Sequence, residues 1–388
     1  MFALLKVRVS GYKMLKDDFE IDFISRARAD TDQKDSSEVF EIAEGLRVFN
    51  TVALTGSNAS GKTTVLSLLD RVFRLMKTGR WMMDRGDISS SEIKIHLEFF
   101  INGVVYLYDS KILPLDSPME LELGYASYCT IKDEVVRLAT YKPSAGRHYA
   151  EKLHFKKDEN ATGLDDTSVL VFICRPYINS TFMKPFPSRN TPFSLSFFDY
   201  LNYFDDELTA EIIRLLDDSI ERIRYLGKDD VEFKRFGQKT IHVTRNGLLS
   251  LLSNGTVKGI ELYIRVAMLL KHGGVLLIDE IENCFHKNLV NNILFLFTDK
   301  TINKKNAQVV FSTHYSEILD VFNRRDNIFI LHKKGSVIEI SNLYSDYDIR
   351  TELSKSKRFN DNTFGTLLNY ERLMKVKGLI RREVSRDD

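Results

Sequence analysis

The eight residues Gly56 to Thr63, GSNASGKT, place two glycines, a lysine and a threonine at the G-x-x-x-x-G-K-[ST] spacing. An apolar stretch precedes them and an amphipathic one follows, so a strand is expected to turn into a helix here. Such a loop aims successive backbone N–H groups at phosphate oxygens, and the helix start adds the positive end of its dipole. Lys62 is then placed to reach the β- and γ-phosphates of a nucleoside triphosphate, and the Thr63 hydroxyl to ligate Mg2+. Gly56, Ser57, Asn58, Ala59, Ser60, Gly61, Lys62, Thr63 and Thr64 form the expected cradle.

A second element, GGVLLIDE (Gly273 to Glu280), is an apolar run ending in two carboxylates. A buried strand of this kind puts Asp279 at its C-terminal edge, where it can hold a Mg2+ shell. Glu280 is next in line to accept a proton from attacking water. His314 ends the following apolar run, VVFSTH, and an imidazole there can stand beside the γ-phosphate. His286, in ENCFHKN, is expected to cap a helix or pack at a subunit seam.

The third element is LSNGTVKG, Leu252 to Gly259. Serine, asparagine and glycine make an ordinary helix-opening turn. Yet GSNASGKT already wraps the phosphates of its own chain. The Ser253 hydroxyl and the Gly255 N–H at a helix start therefore suit a γ-phosphate arriving from a neighbouring subunit.

Positioning these groups takes alternating strands and helices. The opening MFALLKVRVS reads as an edge-type strand, and period-two patterning from Ile93 to about Thr140, with Asn102-Gly103 as a hairpin turn, reads as β-structure. Four of the seven prolines fall between Pro176 and Pro192, marking an irregular excursion. Leu208, Ile212, Leu215, Ile220 and Ile223 share one helical face, with Gly227 as the stop, and a further helix is expected from about Gly259 to Lys271. This is an α/β pattern: a core in two parts, 1–92 and 246–345, an inserted β-rich and helical lobe over 93–245, and a basic tail over 346–388.

Lys+Arg 55 against Asp+Glu 54 leaves a net charge of +1, so no global field argues for nucleic acid. The three cysteines have no metal-ligand spacing, no apolar run approaches membrane-spanning length, and a cytoplasmic protein is expected. Basic residues of the tail, among them Lys355, Lys357, Arg358, Lys375, Lys377, Arg381 and Arg382, suit a solvated helix or a docking surface. RPYINSTFMKPFPSR mixes aromatic and basic residues and suits a lid or a strand-binding surface.

In this order, the phosphate loop, SNGT, the acidic pair and the strand-end histidine resemble an ABC-type P-loop ATPase head. The resemblance implies ATP and Mg2+ as ligands and a composite site shared by two subunits. Lys62 and Thr63 match the phosphate loop, Asp279 the metal aspartate, Glu280 the base and His314 the switch histidine. Ser253 and Gly255 match the signature acting in trans. SNGT in place of Ser-Gly-Gly-Gln, and nearly 200 residues between the two loops, resemble the RecF/SMC/OLD branch rather than transporters. VSGYKMLKDDFEIDF and LYSDYDIR resemble, in particular, the AAA-type ATPases of abortive-infection and restriction-linked anti-phage loci.

The chain departs from that pattern at Tyr12-Lys13 for Phe-Arg, at Glu282 for Asp, and at His286-Lys287 for His-Pro. No carboxylate-rich TOPRIM strands follow LYSDYDIR. The resemblance thus implies a homo-oligomer, at least a dimer, that answers a phage protein or DNA and controls a separate effector, a TOPRIM-type nuclease or a toxin. A RecF-like DNA-repair ATPase is the alternative.

Overall fold

The computed structural model describes residues 1–27, 37–81, 92–120, 126–159, 161, 167–184, 198, 201–283, 285–348, 354–361, 363–365 and 370–384. Cys284, most of the proline-rich excursion and the end of LYSDYDIR lie outside the described residues.

The chain opens with strands β1 (Phe2–Ser10) and β2 (Phe19–Asp22), then the hairpin β3 (Val39–Ala43) and β4 (Leu46–Phe49). Strand β5 (Thr51–Thr55) leads through the phosphate loop into helix α1 (Lys62–Thr78). Long strands β6 (Ile93–Ile101), β7 (Val104–Glu120) and β8 (Ala126–Thr140) follow. After them come short α2 (Tyr149–Lys152), β9 (Lys156–Lys157), α3 (Leu170–Cys174) and β10 (Ser180–Met183). Helix α4 (Asp206–Leu216) precedes β11 (Ile220–Gly227), β12 (Asp230–Arg235) and β13 (Ile241–Val243). Helices α5 (Arg245–Leu251) and α6 (Asn254–His272) lead to β14 (Val275–Ile278), then α7 (Lys287–Thr298), β15 (Gln308–Ser312), β16 (Ile328–Lys334) and β17 (Val337–Asn342). Helices α8 (Lys355–Asn360) and α9 (Tyr370–Val384) come last.

Two six-stranded sheets carry the architecture. One is antiparallel, in the order β2-β1-β6-β7-β8-β9. The other, in the order β10-β14-β15-β5-β16-β17, is parallel except for β17. The parallel strands are apolar on both faces, as burial on both sides requires. Val52, Leu54, Leu277 and Val310 point with α1 into a core closed by the antiparallel sheet. Their alternates Ala53, Leu276, Ile278 and Val309 face α6 and α7 in a second core. The period of two thus splits one strand's side chains between two cores.

Several expectations are corrected. The N-terminal strand is internal, paired with β2 on one side and β6 on the other. The segment 93–140 does not start a separate lobe. Ile93, Ile95, Leu97 and Phe99 share their buried face with Val7 and Val9 of β1, so a boundary at 93 would cut one sheet. The later part, α4 with β11, β12 and β13, packs its buried side chains into the core shared by α6, α7 and the parallel sheet.

The helix expected to run to Gly227 stops at Leu216. Asp217 leaves helical geometry, and its carboxylate accepts from the Ser219 N–H (3.1 Å), a local turn that competes with helix continuation. Ile220 and Ile223 are buried as strand residues paired with β12. Helix α6 begins at Asn254 rather than Gly259, because Ser253 caps it by accepting from the Thr256 N–H (3.0 Å). The Asn102-Gly103 turn is as expected, with both residues at positive φ (46° and 89°), as a two-residue hairpin demands. The tail divides: residues 354–356 are tied to the Asp320 carboxylate, whereas residues 371–384 are exposed throughout.

The two layers are locked by a buried ion pair. Arg324 and Asp326, with side chains 1% and 0% exposed, form two hydrogen bonds (2.9 and 2.7 Å). Asp326 also accepts from the N–H groups of Arg26 and Ala27, tying the chain after β2 to the turn before β16. Removing one partner strands a buried charge. Asp326→Ala is expected to cost about 3–5 kcal/mol in a urea titration followed by circular dichroism; an unchanged midpoint would contradict this account.

Candidate nucleotide site

The phosphate loop joins β5 to α1, and its conformation requires its glycines. Gly56 and Gly61 have φ of 148° and 104°, where L side chains are strained. A Cβ at Gly56 would stand 2.4 Å from the Leu331 carbonyl oxygen, and one at Gly61 2.5 Å from Ile338 Cδ1. Strands β16 and β17 therefore press on the loop from beneath. Ala59 adopts φ 58° at the exposed tip beside Asn58.

Lys62 is buried, and its ammonium donates to the carbonyls of Gly56 (2.9 Å) and Ser57 (3.0 Å). Burial pushes its pKa down to about 8, against the pull of Glu282, Asp279 and Glu280. The Thr63 hydroxyl donates to Asp279 Oδ2 (2.7 Å). Ser60 Oγ is buried without a hydrogen-bond partner among the described residues.

Asp279 follows the last residue of β14 and is 3% exposed. Its second oxygen accepts from the Ser312 hydroxyl (2.6 Å), and Ser312 Oγ in turn accepts from the Glu280 N–H (2.7 Å). Glu280 sits at φ 52°, in the left-handed region that a non-glycine residue enters only when held there. Ser312, at the end of the neighbouring strand β15, holds it. This serine was not among the residues singled out from the sequence. Its signal was its place two residues before His314 at the end of a core strand.

His314 Nδ1 stands 3.4 Å from Lys62 Nζ, and Nε2 lies 3.7 Å from Glu280 Oε1. Burial, with the Lys62 charge next, lowers the His314 pKa, which favours the neutral ring at pH 7. The His314 N–H donates to Glu282 Oε1 (2.6 Å), so Glu282 in place of aspartate still reaches the histidine loop. Asn283 donates to Glu280 Oε2 (3.3 Å), another contact the sequence did not reveal. Lys62, Thr63, Asp279, Glu280 and His314 thus lie together at the ends of β5, β14 and β15. His286 lies apart as the N-cap of α7, accepting from the Asn288 N–H (3.3 Å).

Among the described residues no hydrogen bond joins Ser253 or Gly255 to this cluster. Ser253 is exposed at the positive end of the 19-residue α6, bonded to the Thr256 N–H and, at 2.8 Å, to the Thr256 hydroxyl. Thr256, at the position where transporters carry glutamine, is buried and serves the cap.

The donor set fits Mg2+ with a triphosphate. Mg2+ takes one or two protein oxygens and completes its shell with phosphate and water, and Thr63 with Asp279 offers such a pair. The orphaned Ser60 hydroxyl is a further donor of the kind such a ligand needs.

A parallel sheet whose strand ends gather a phosphate loop, an acidic pair and a histidine defines an ABC-class P-loop ATPase head of α/β class. The family model described as "AAA domain, putative AbiEii toxin, Type IV TA system" matches residues 52–320, more than half of the chain. The chain belongs to that family and is a P-loop ATPase. No curated protein matches the sequence. Among solved structures it is similar to the SMC head domain from Thermotoga maritima, at 14% identity and TM-score 0.42. That match covers 89% of this chain and 99% of the other. It is also similar to the ATP-binding cassette MJ0796, in a dimeric post-hydrolysis state bound to ADP and Pi. There the identity is 13% and the TM-score 0.33, over 87% of this chain and 99% of that one. Among the described residues no helix is long and apolar enough to cross a membrane.

Two tests follow from the geometry. Phosphate recognition by Lys62 needs the ammonium, and its pKa in the free site is about 8. ATP affinity is therefore expected to be full below that pH and to fall as pH rises from 7 to 9, by up to about tenfold per unit above the pKa. Lys62→Arg is expected to flatten the profile, and a flat wild-type profile in calorimetry would refute the assignment. Ser312→Ala should leave ATP binding intact and slow turnover roughly 10–100-fold, the range seen when an outer partner of a metal ligand is lost. Unaltered turnover would show that Glu280 needs no such support.

Proposed function

We propose that the chain is a Mg2+-dependent ATPase that assembles head to tail through composite ATP sites. In this reading it senses infection and controls a separate effector, a nuclease or toxin, in an anti-phage system. The observation that carries the reading is the split between Ser253 and the phosphate-loop cluster. Ser253 presents a hydroxyl at the exposed positive end of α6, where a triphosphate from another subunit could be met. The family description, which names a toxin and a type IV TA system, supports a role in such a system.

In this site Lys62 would turn from the loop carbonyls to the phosphates, and Thr63 with Asp279 would hold Mg2+, which would neutralise charge on the phosphate oxygens. Glu280 takes a proton from water at its carboxylate, and Asn283 orients that carboxylate. His314, neutral and 3.4 Å from Lys62, accepts from the ammonium at Nδ1 and leaves Nε2 to donate toward the γ-phosphate. Ser253 and Gly255 of a second subunit close the site.

Glu280→Gln is expected to bind ATP, lose turnover by roughly 100-fold or more and accumulate as the assembled species in light scattering. If it stays monomeric in saturating ATP while hydrolysis continues, the composite site is wrong. Mixing Lys62→Ala with Ser253→Arg should recover part of the activity, because one composite site of a mixed dimer keeps both halves. Absence of recovery counts against contacts in trans. ATP-dependent duplex binding that falls with salt would instead favour a RecF-like DNA-repair role.

A further inference from the structure

Helix α9 is exposed along residues 371–384, yet its sequence is not that of a solvated helix. Leu373, Val376, Ile380 and Val384 recur at spacings of three, four and four, so they line one face of the helix. They are 53–68% exposed. A helix rarely leaves four branched apolar side chains in one stripe in water, and a stripe of this kind marks a contact surface. Lys377 and Arg381 flank the stripe, and the helix carries five basic residues against two acidic ones.

The same chain presents a counterpart. On α4, Thr209, Ile212 and Ile213 are buried, while Leu208 and Leu215, at the edge of Ile212, are 39% and 55% exposed. They are seven residues apart, as are Leu373 and Ile380, and at 1.5 Å per residue both pairs span about 10.5 Å. The flank beside them is acidic, with Glu207 and Glu211, and Asp205 and Asp206 open the helix. Glu211 also pairs with Arg214, whose guanidinium lies over the ring of Phe236, itself 52% exposed, so the apolar surface extends beyond the helix. The two helices match in apolar spacing and are opposite in charge. Leu208, Leu215, Leu373 and Ile380 are all exposed among the described residues.

We propose that α9 of one copy of this chain docks parallel to α4 of a second copy, with Leu373 against Leu208, Ile380 against Leu215, and Lys377 beside Glu211. The contact does not involve nucleotide, so it stands or falls separately from the composite site. It adds a second link between subunits, one that can keep them together through the ATP cycle.

The test uses the full chain without nucleotide, in a Cys284→Ser background; Cys129 and Cys174 are buried. Leu215→Cys protein is mixed with differently tagged Ile380→Cys protein and treated with a short bismaleimide. A cross-linked heterodimer is expected. Lys377→Glu should reduce its yield about tenfold, and Glu211→Lys on the other copy should restore it. Unchanged thermal melting shows that the variants fold, as expected for exposed positions. No cross-link, or one indifferent to these charges, overturns the proposal. So does a cross-link that forms only within single chains carrying both cysteines. Binding to phosphatidylserine vesicles that is lost on Ile380→Asp, with no link between chains, would assign the helix to a lipid surface and overturn it as well.

Discussion

One carboxylate holds the site together. Asp279 shares its two oxygens between Thr63, at the start of α1, and Ser312, at the end of β15. Three elements that meet only in the folded sheet thereby converge on a single buried side chain. Ser312 passes the constraint to the backbone of Glu280 and keeps it in a conformation it would not choose alone. The lysine, the proposed base and the histidine all take their places from this junction.

The two sheets make the junction stiff. The parallel strands send alternate side chains into two cores, so no strand can slip by one residue without exchanging its buried faces. Strands β16 and β17 lie so close under the phosphate loop that Gly56 and Gly61 leave no room for a Cβ. The loop is thus shaped from below by packing as well as by its own glycines. Lys62, buried here, donates to backbone carbonyls, and its lowered pKa follows from burial.

Much of the site was legible in the sequence. The loop spacing, the acidic strand end and the strand-end histidine each carry a local pattern, and the fold brings them together. Ser312 and Asn283 were not legible, because their roles depend on which strand lies beside which, and strand order is not a local property. The helix expected over 208–227 failed for a related reason. Apolar residues at helical spacing on both sides of Asp217 looked continuous, yet a side-chain turn at Asp217 and pairing with β12 were stronger than the period. The boundary at 93 failed because β1 and β6 are far apart in sequence and adjacent in the sheet.

By itself the sequence determined the chemistry available: a glycine loop with a lysine and a hydroxyl, two carboxylates at a strand end, a histidine, and a serine capping a helix. Spacing along one chain suffices for these, since each is set within a few residues of backbone. Only the tertiary structure decided which of them act together. It aligned β14, β15 and β5 so that their ends converge, put a serine between the Asp279 carboxylate and the Glu280 backbone N–H, and left Ser253 at the exposed start of α6, with no bond to the cluster among the described residues. The physical reason is that hydrogen bonds and burial depend on distance in space, which only sheet order and packing settle.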